Sequence, residues 1–225
     1  SDIYVVEPNP KAMSLAQTRA SETVTASTGV QLHFSESLTS CGLKSVDLAI
    51  IATSSLVRLE ILRRLLKTIL VRNIVLEKVA FSSISQLDEA ASLIGAIPAW
   101  VNCPRRMNPG YQRLKKVLSG RGAIRYTVTG KSYGLACVAV HFIDILSYLA
   151  NETEYDLDCS ELVHAVFPSK RPGYDEFFGG LKAHFRGGHE LNLDCMHDSS
   201  GIADFLVRIE ADGIALILNE ISNTF

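Results

Sequence analysis

The sequence predicts an α/β chain of two domains. A parallel sheet with helices on its faces occupies 1–102, and an α/β domain with a mixed or antiparallel open sheet occupies 103–225. Three observations predict this. Residues 46–55 and 73–82 are short apolar runs that stop abruptly in polar residues, and 56–68 between them has the apolar spacing of an amphipathic helix, giving a β-α-β unit. Strand-like and helix-like segments alternate up to Asn102, as in a parallel sheet. After residue 160 the chain becomes strand-rich, punctuated by Gly179-Gly180, Gly187-Gly188 and Asp212-Gly213.

Along the chain, residues 3–6 make a short strand that ends at Glu7-Pro8. Asn9 caps a helix opening on Pro10, because proline's fixed φ and missing N–H suit the first helical position. Residues 30–34, 46–53 and 73–77 are further strands, with the 56–68 helix between the last two. Ser83 and Gln86 have capping-box spacing, and Gly95 ends that helix. Residues 99–102 form a strand, Asn108-Pro109 opens a helix that Gly120 closes, 123–129 is a strand and 134–150 a long apolar helix. The patterns then predict strands at 160–167, 176–186, 189–196, 203–210 and 213–220.

With 225 residues, 47% of them hydrophobic and 20% charged, the chain folds around a core. A net charge of −2 and a pI near 6.3 leave no electrostatic footprint for nucleic acid or an anionic membrane. No apolar run reaches the roughly 18 residues that span a bilayer, and the first residues carry no basic signal-peptide region. Five cysteines, widely spaced and without C-x-x-C, read as reduced thiols in a cytoplasmic setting.

These segments together resemble the Gfo/Idh/MocA family of NAD(P)-dependent oxidoreductases, which pair a Rossmann domain with an α/β domain on a large open sheet. Residues 46–55 resemble the strand ending in Ala-Thr beside the nicotinamide, and Glu77-Lys78-Val79 resembles the Glu-Lys-Pro signature. Residues 102–106 resemble the entry to the second domain. The 134–149 stretch resembles the helix bearing Asp-x-Gly-x-His-x-x-Asp, and its wording, from Tyr133 to Cys137 and from Val140 to Asp144, is similar to members tied to surface-sugar biosynthesis. The chain departs from the family in three ways. It begins where the family's second strand begins, without the first strand and its G-x-G-x-x-G loop; Gly120-Arg121-Gly122 lacks the third glycine and precedes a strand, so it cannot cradle a pyrophosphate on a helix N-terminus. Cys137 stands where the family has a catalytic aspartate, and Ala139 replaces the glycine. The chain stops at Phe225, before the family's closing strands. Truncation at both ends relative to the family is therefore expected.

The resemblance implies oxidation or reduction of a hydroxyl or keto group on a sugar or nucleotide sugar, with homo-oligomers formed through the second domain's sheet. The alternative is a degenerate or incomplete member that binds a sugar or partner without chemistry. Hydride transfer needs a proton acceptor near the hydroxyl. Lys78 is the first candidate, at a strand end where parallel sheets expose their chemistry; the plainer reading is a solvated lysine paired with Glu77. His141 is the second, in a role of assistant or base, against a core histidine. Cys137, His141, Asp144 and Tyr148 share one helical face. Asp144 either fixes the histidine tautomer or caps backbone, and Cys137 reads as a small core residue. Glu7, followed by Pro8, suits a ribose 2′-hydroxyl and favours NAD over NADP. Thr53, Ser54 and the Glu77-Lys78 pair are expected at the cofactor, although Ser54 or Ser55 could simply cap the next helix. Arg105, Arg106, Tyr133 and His141 are expected at the substrate, an anionic group falling to the arginines. The stretch from His184 through His189, Asp194 and Cys195 to His197 has no zinc-site spacing, and no metal is expected.

Overall fold

A computed structural model of the chain describes residues 1–23, 29–169, 171 and 173–220. It is a mixed α/β fold in two compact units, one from Ser1 to Asn102 and one beginning at Cys103.

Every strand pairing in the first unit is parallel. β1 (Asp2–Val6) pairs with β2 (Gln31–Ser35), and β3 (Ser45–Val46) with β5 (Leu70–Val71). β4 (Ala49–Ile51), β6 (Ile74–Glu77) and β7 (Ala99–Asn102) form one three-stranded sheet in the order β4-β6-β7. The predicted 46–53 strand is therefore two short ones. The break falls at Asp47, whose carbonyl accepts from the Asn73 side chain at 2.9 Å. Helices α1 (Pro10–Thr23), α2 (Ser55–Thr68) and α3 (Ile84–Ile94) follow β1, β4 and β6. Asn9 caps α1 through bonds from the Lys11 and Ala12 amides at 2.9 and 3.2 Å. Ser83 accepts from the Gln86 amide at 3.3 Å, while the Gln86 side chain reaches back to Ser82. Leu59, Leu62 and Leu65 of α2 pack with Ile51, Ile74 and Leu76 in this unit's core.

The second unit holds α4 (Pro109–Leu118), α5 (Leu135–Ala150) and a six-stranded sheet of order β15-β14-β8-β13-β12-β9. Its strands are β8 (Arg125–Lys131), β9 (Tyr155–Asp158), β12 (Gly179–Phe185), β13 (Glu190–Met196), β14 (Asp204–Ala211) and β15 (Ile214–Leu218). Only β8 and β13 run parallel; the other pairs are antiparallel. A short ribbon of β10 (Phe167–Pro168) and β11 (Asp175–Glu176) stands apart. Asp212 and Gly213, both at positive φ, make the tight β14–β15 turn. The inner sheet face packs on α5, where Phe142, Ile145 and Leu146 are fully buried.

Two expectations fail here. Residues 160–167 do not form a strand: β9 lies earlier, and Asp158 accepts from the Ser160 amide at 2.9 Å and turns the chain. Gly179-Gly180 does not separate strands but begins β12. A Cβ at Gly179 would come within 2.5 Å of the Glu161 carbonyl oxygen, a close backbone approach that only glycine allows.

Candidate functional site

In the first unit, the candidate residues gather at the carboxyl ends of β4 and β6, which are adjacent and parallel. Thr53 follows β4. Its hydroxyl oxygen is buried and has no hydrogen-bond partner among the described residues. Ser54 is the N-cap of α2 in extended conformation, yet its side chain makes no cap hydrogen bond. The Ser55 hydroxyl instead receives one from Ser82 at 3.2 Å. Glu77 ends β6 and accepts from the Asn102 amide group at 2.9 Å, across the β6–β7 register pair. Lys78 follows it, half-buried, through a cis peptide to Val79. At the end of β1, Glu7 uses Oε1 to accept from the Asn9 amide at 2.8 Å and so also holds the turn into α1, with Pro8 between them.

Arg58 completes this cluster and escaped the sequence reading. It is 1% exposed. One guanidinium nitrogen donates to the Val79 and Ala80 carbonyls at 2.5 and 2.6 Å, and the other donates to the Thr53 carbonyl. The available signal was its spacing. Arg58, Leu62 and Leu65 stand at i, i+4 and i+7, so the arginine lies on the apolar stripe rather than among the outward charges.

In the second unit, α5 turns Leu135, Phe142, Ile145, Leu146 and Leu149 to the core. The polar stripe lies on its more open side: Cys137 is exposed, and His141, Asp144 and Tyr148 are half-buried. Cys137 is therefore no core residue. Asp144 is held by Arg106, with Nε to Oδ2 at 2.7 Å and Nη2 to Oδ1 at 2.5 Å. That contact also raises the guanidinium's pKa.

Arg105 grips Glu220 with three bonds of 2.6 to 3.0 Å and stacks 4.6 Å from the Phe142 ring centre. Burial opposes its charge, but the Glu220 carboxylate more than restores it. Glu220 also accepts from the Tyr111 hydroxyl, which lies 2.7 Å from that of Tyr126. Burial drives both phenols above their ordinary range. The two arginines expected to hold a substrate anion thus already hold carboxylates of this chain.

Tyr133, also expected at the substrate, is 6% exposed, its ring packs edge-on against Phe142 and Phe205, and burial raises its phenol, so it is a core side chain.

Of the His184–His197 stretch, His189 accepts from the Ile124 amide at 3.0 Å and His197 stacks on Phe167 at 4.5 Å. The described residues assemble no group of three metal-ligating side chains. No helix among them is long and apolar enough to cross a membrane.

No protein-family model matches this chain, and no curated protein sequence does. Solved structures do. The WlbA dehydrogenase from Bordetella pertussis, in complex with NADH and UDP-GlcNAcA, is 15% identical with a TM-score of 0.67 over 96% of this chain and 68% of that one. The WlbA (WbpB) dehydrogenase from Thermus thermophilus, in complex with NAD and alpha-ketoglutarate, is 16% identical with a TM-score of 0.62, covering 97% of this chain and 74% of that one. The myo-inositol 2-dehydrogenase from Lactobacillus plantarum is 14% identical with a TM-score of 0.66, covering 96% and 68%. The chain thus has the α/β fold of these dehydrogenases, a Rossmann-like parallel unit joined to a unit built on a mixed sheet.

Proposed function

We propose that the chain is an oxidoreductase of the Gfo/Idh/MocA type that uses NAD in preference to NADP and acts on a hydroxyl or keto group of a sugar or nucleotide sugar. The supporting observation is the buried, unpartnered Thr53 hydroxyl beside uncapped Ser54, at the carboxyl end of a strand whose parallel neighbour ends in Glu77-Lys78. A buried hydroxyl without a partner costs about 1–3 kcal/mol, and a rotation of the half-buried Thr53 side chain that turned it to a polar group of a bound dinucleotide would remove that cost. A bound nicotinamide would supply the hydride acceptor or donor for the carbon that bears the hydroxyl.

This chain's residues handle the rest. Lys78 takes the hydroxyl proton as the alcohol becomes a carbonyl and returns it in the reverse direction. His141 serves as assisting base, the role the resemblance implies. Glu7 keeps one carboxylate oxygen beyond its bond to Asn9, which suits a ribose 2′-hydroxyl and repels a 2′-phosphate. The NAD and NADH of the WlbA complexes favour the same cofactor, and the nucleotide sugar of one favours the same substrate class.

Calorimetric titration of the purified chain with NADH, with NADPH as comparator, tests the reading. NADH is expected to bind more tightly. Lys78→Ala and His141→Ala are each expected to reduce turnover of a sugar or nucleotide-sugar panel at least 100-fold, in line with lost acid–base catalysis. A folded chain that ignores NADH, or full turnover in both variants, overturns it.

Two observations favour the second reading, a degenerate member that binds a sugar or partner without chemistry. Cys137 puts an exposed thiol where the family has a carboxylate, and Asp144, one helical turn from His141, is engaged by Arg106. Activity that appears only in Cys137→Asp would select that reading.

A further inference from the structure

We propose that Arg58 is the positioning residue of the cofactor site, a buried guanidinium that locks the β4 and β6 strand ends to each other. The inference rests on the cofactor reading above. The carbonyls it binds belong to Thr53, which carries the buried hydroxyl, and to Val79 and Ala80, which directly follow Lys78. Each loop leaves a strand for a helix, and the neutral hydroxyl bond from Ser82 to Ser55 at 3.2 Å is a weaker tie between them than a guanidinium shared by three carbonyls. A planar cation with several fixed donors can bind three carbonyls from two loops at once, whereas an ammonium on a flexible stem cannot hold that geometry.

Burial strengthens the argument. A guanidinium that is 1% exposed is heavily desolvated, so its charge must be met by hydrogen bonds. Charge-assisted bonds to carbonyls are roughly twice as strong as neutral ones. An apolar side chain at position 58 would complete the Leu59–Leu62–Leu65 core surface at lower desolvation cost. An arginine here is better explained by what it holds, namely the main chain on either side of the proposed cofactor contacts.

The test compares Arg58→Lys and Arg58→Met with the wild type and with Arg72→Ala. Arg72 is an exposed residue of the same unit, paired with Asp47 on the surface. Three readouts are taken on the whole chain: NADH affinity, thermal unfolding, and amide hydrogen exchange at 53–55 and 78–81. In folded variants, both Arg58 changes are expected to weaken NADH at least tenfold, at a temperature well below unfolding, and to speed exchange in those two loops alone. Arg72→Ala should change neither. Lysine keeps the charge, so its failure to restore affinity assigns the effect to the forked geometry. Wild-type affinity and wild-type exchange in either folded Arg58 variant overturn the proposal.

If the wild type itself does not bind NADH, the cofactor reading falls, and the exchange data alone decide whether Arg58 joins the loops. If neither variant folds, the wild type decides by nuclear magnetic resonance. Separate, slowly rotating guanidinium protons assigned to Arg58 support the clamp, and averaged Arg58 signals overturn it.

Discussion

Arg105 and Glu220 show how one pair of residues can be necessary without being a substrate site. The two side chains are 19% and 15% exposed, and Tyr111, Tyr126 and the Phe142 ring enclose them. Removing one partner leaves the other desolvated. Arg105→Ala is expected to destabilise the second unit by about 3 kcal/mol, read as a shift in the urea midpoint. Replacing both together, Arg105→Met with Glu220→Met, should recover most of that loss, because no charge is left stranded. A single-variant loss below about 1 kcal/mol would mean that water screens the pair. The tyrosines beside it set an alkaline limit. Their folded-state pKa values lie above the unfolded value of about 10, with burial as the main cause. Their contribution to stability is therefore intact below about pH 10 and is lost as pH rises from there towards the folded values. Ultraviolet titration should show Tyr111, Tyr126 and Tyr133 ionising only as the fold opens. Simultaneous ionisation of all seven tyrosines in a folded chain would contradict this.

At the scale of elements, β8 and α5 each depend on a glycine that a larger residue cannot replace. Gly130 of β8 lies opposite Phe205 of β14, and a Cβ there would stand 2.1 Å from the Asp204 carbonyl oxygen and 2.6 Å from the Phe205 Cα. Neither backbone atom can yield without parting the two strands. Gly130→Ala should cost about 3 kcal/mol and lower the melting temperature by roughly 10 °C; a change of a degree or two would contradict the packing. Gly134, at φ +71°, precedes α5, and a Cβ there would meet Glu176. That carboxylate accepts from the Ala136 amide at 2.5 Å and so caps the helix's positive end from β11.

These contacts explain what the sequence could and could not disclose. Strand ends, caps and the β14–β15 turn depend on residues close in sequence, so periodicity and Asn9, Ser83 and Asp212-Gly213 revealed them. Thr53, Ser54, Glu77 and Lys78 were readable as a group because strand direction alone places them together. Glu176 at α5, Arg58 at Val79 and Arg105 at Glu220 join residues 21 to 115 positions apart. No local pattern encodes such pairs, and so Tyr133, Arg105 and Arg106 looked available when they were engaged.

For the whole molecule, the six-stranded sheet poses the remaining question. α4 and α5 lie on its inner face, and alternation sends the other side chains outward. In register across that outer face run Asp158, Lys182, Asn192, Thr127, Arg208 and Ile217. Ile217 is 62% exposed and its diagonal neighbour Leu206 is 51% exposed. A face this polar tolerates water, yet two large apolar side chains side by side within a polar surround have the composition of a non-obligate interface. The homo-oligomer expected through this sheet follows if a second copy lays the same face against it, since a two-fold axis would bring each apolar pair to an identical surface. A stable pair would bury about 800 Å² per copy. Sedimentation at rising concentration should then show a mass above the 24.6 kDa of one chain. Leu206→Glu with Ile217→Glu should return it to that mass without altering NADH affinity, because neither residue belongs to the strand ends of the first unit. A chain that sediments as a monomer throughout would remove the sheet face from the assembly, while leaving the cofactor proposal where Thr53 and Lys78 put it.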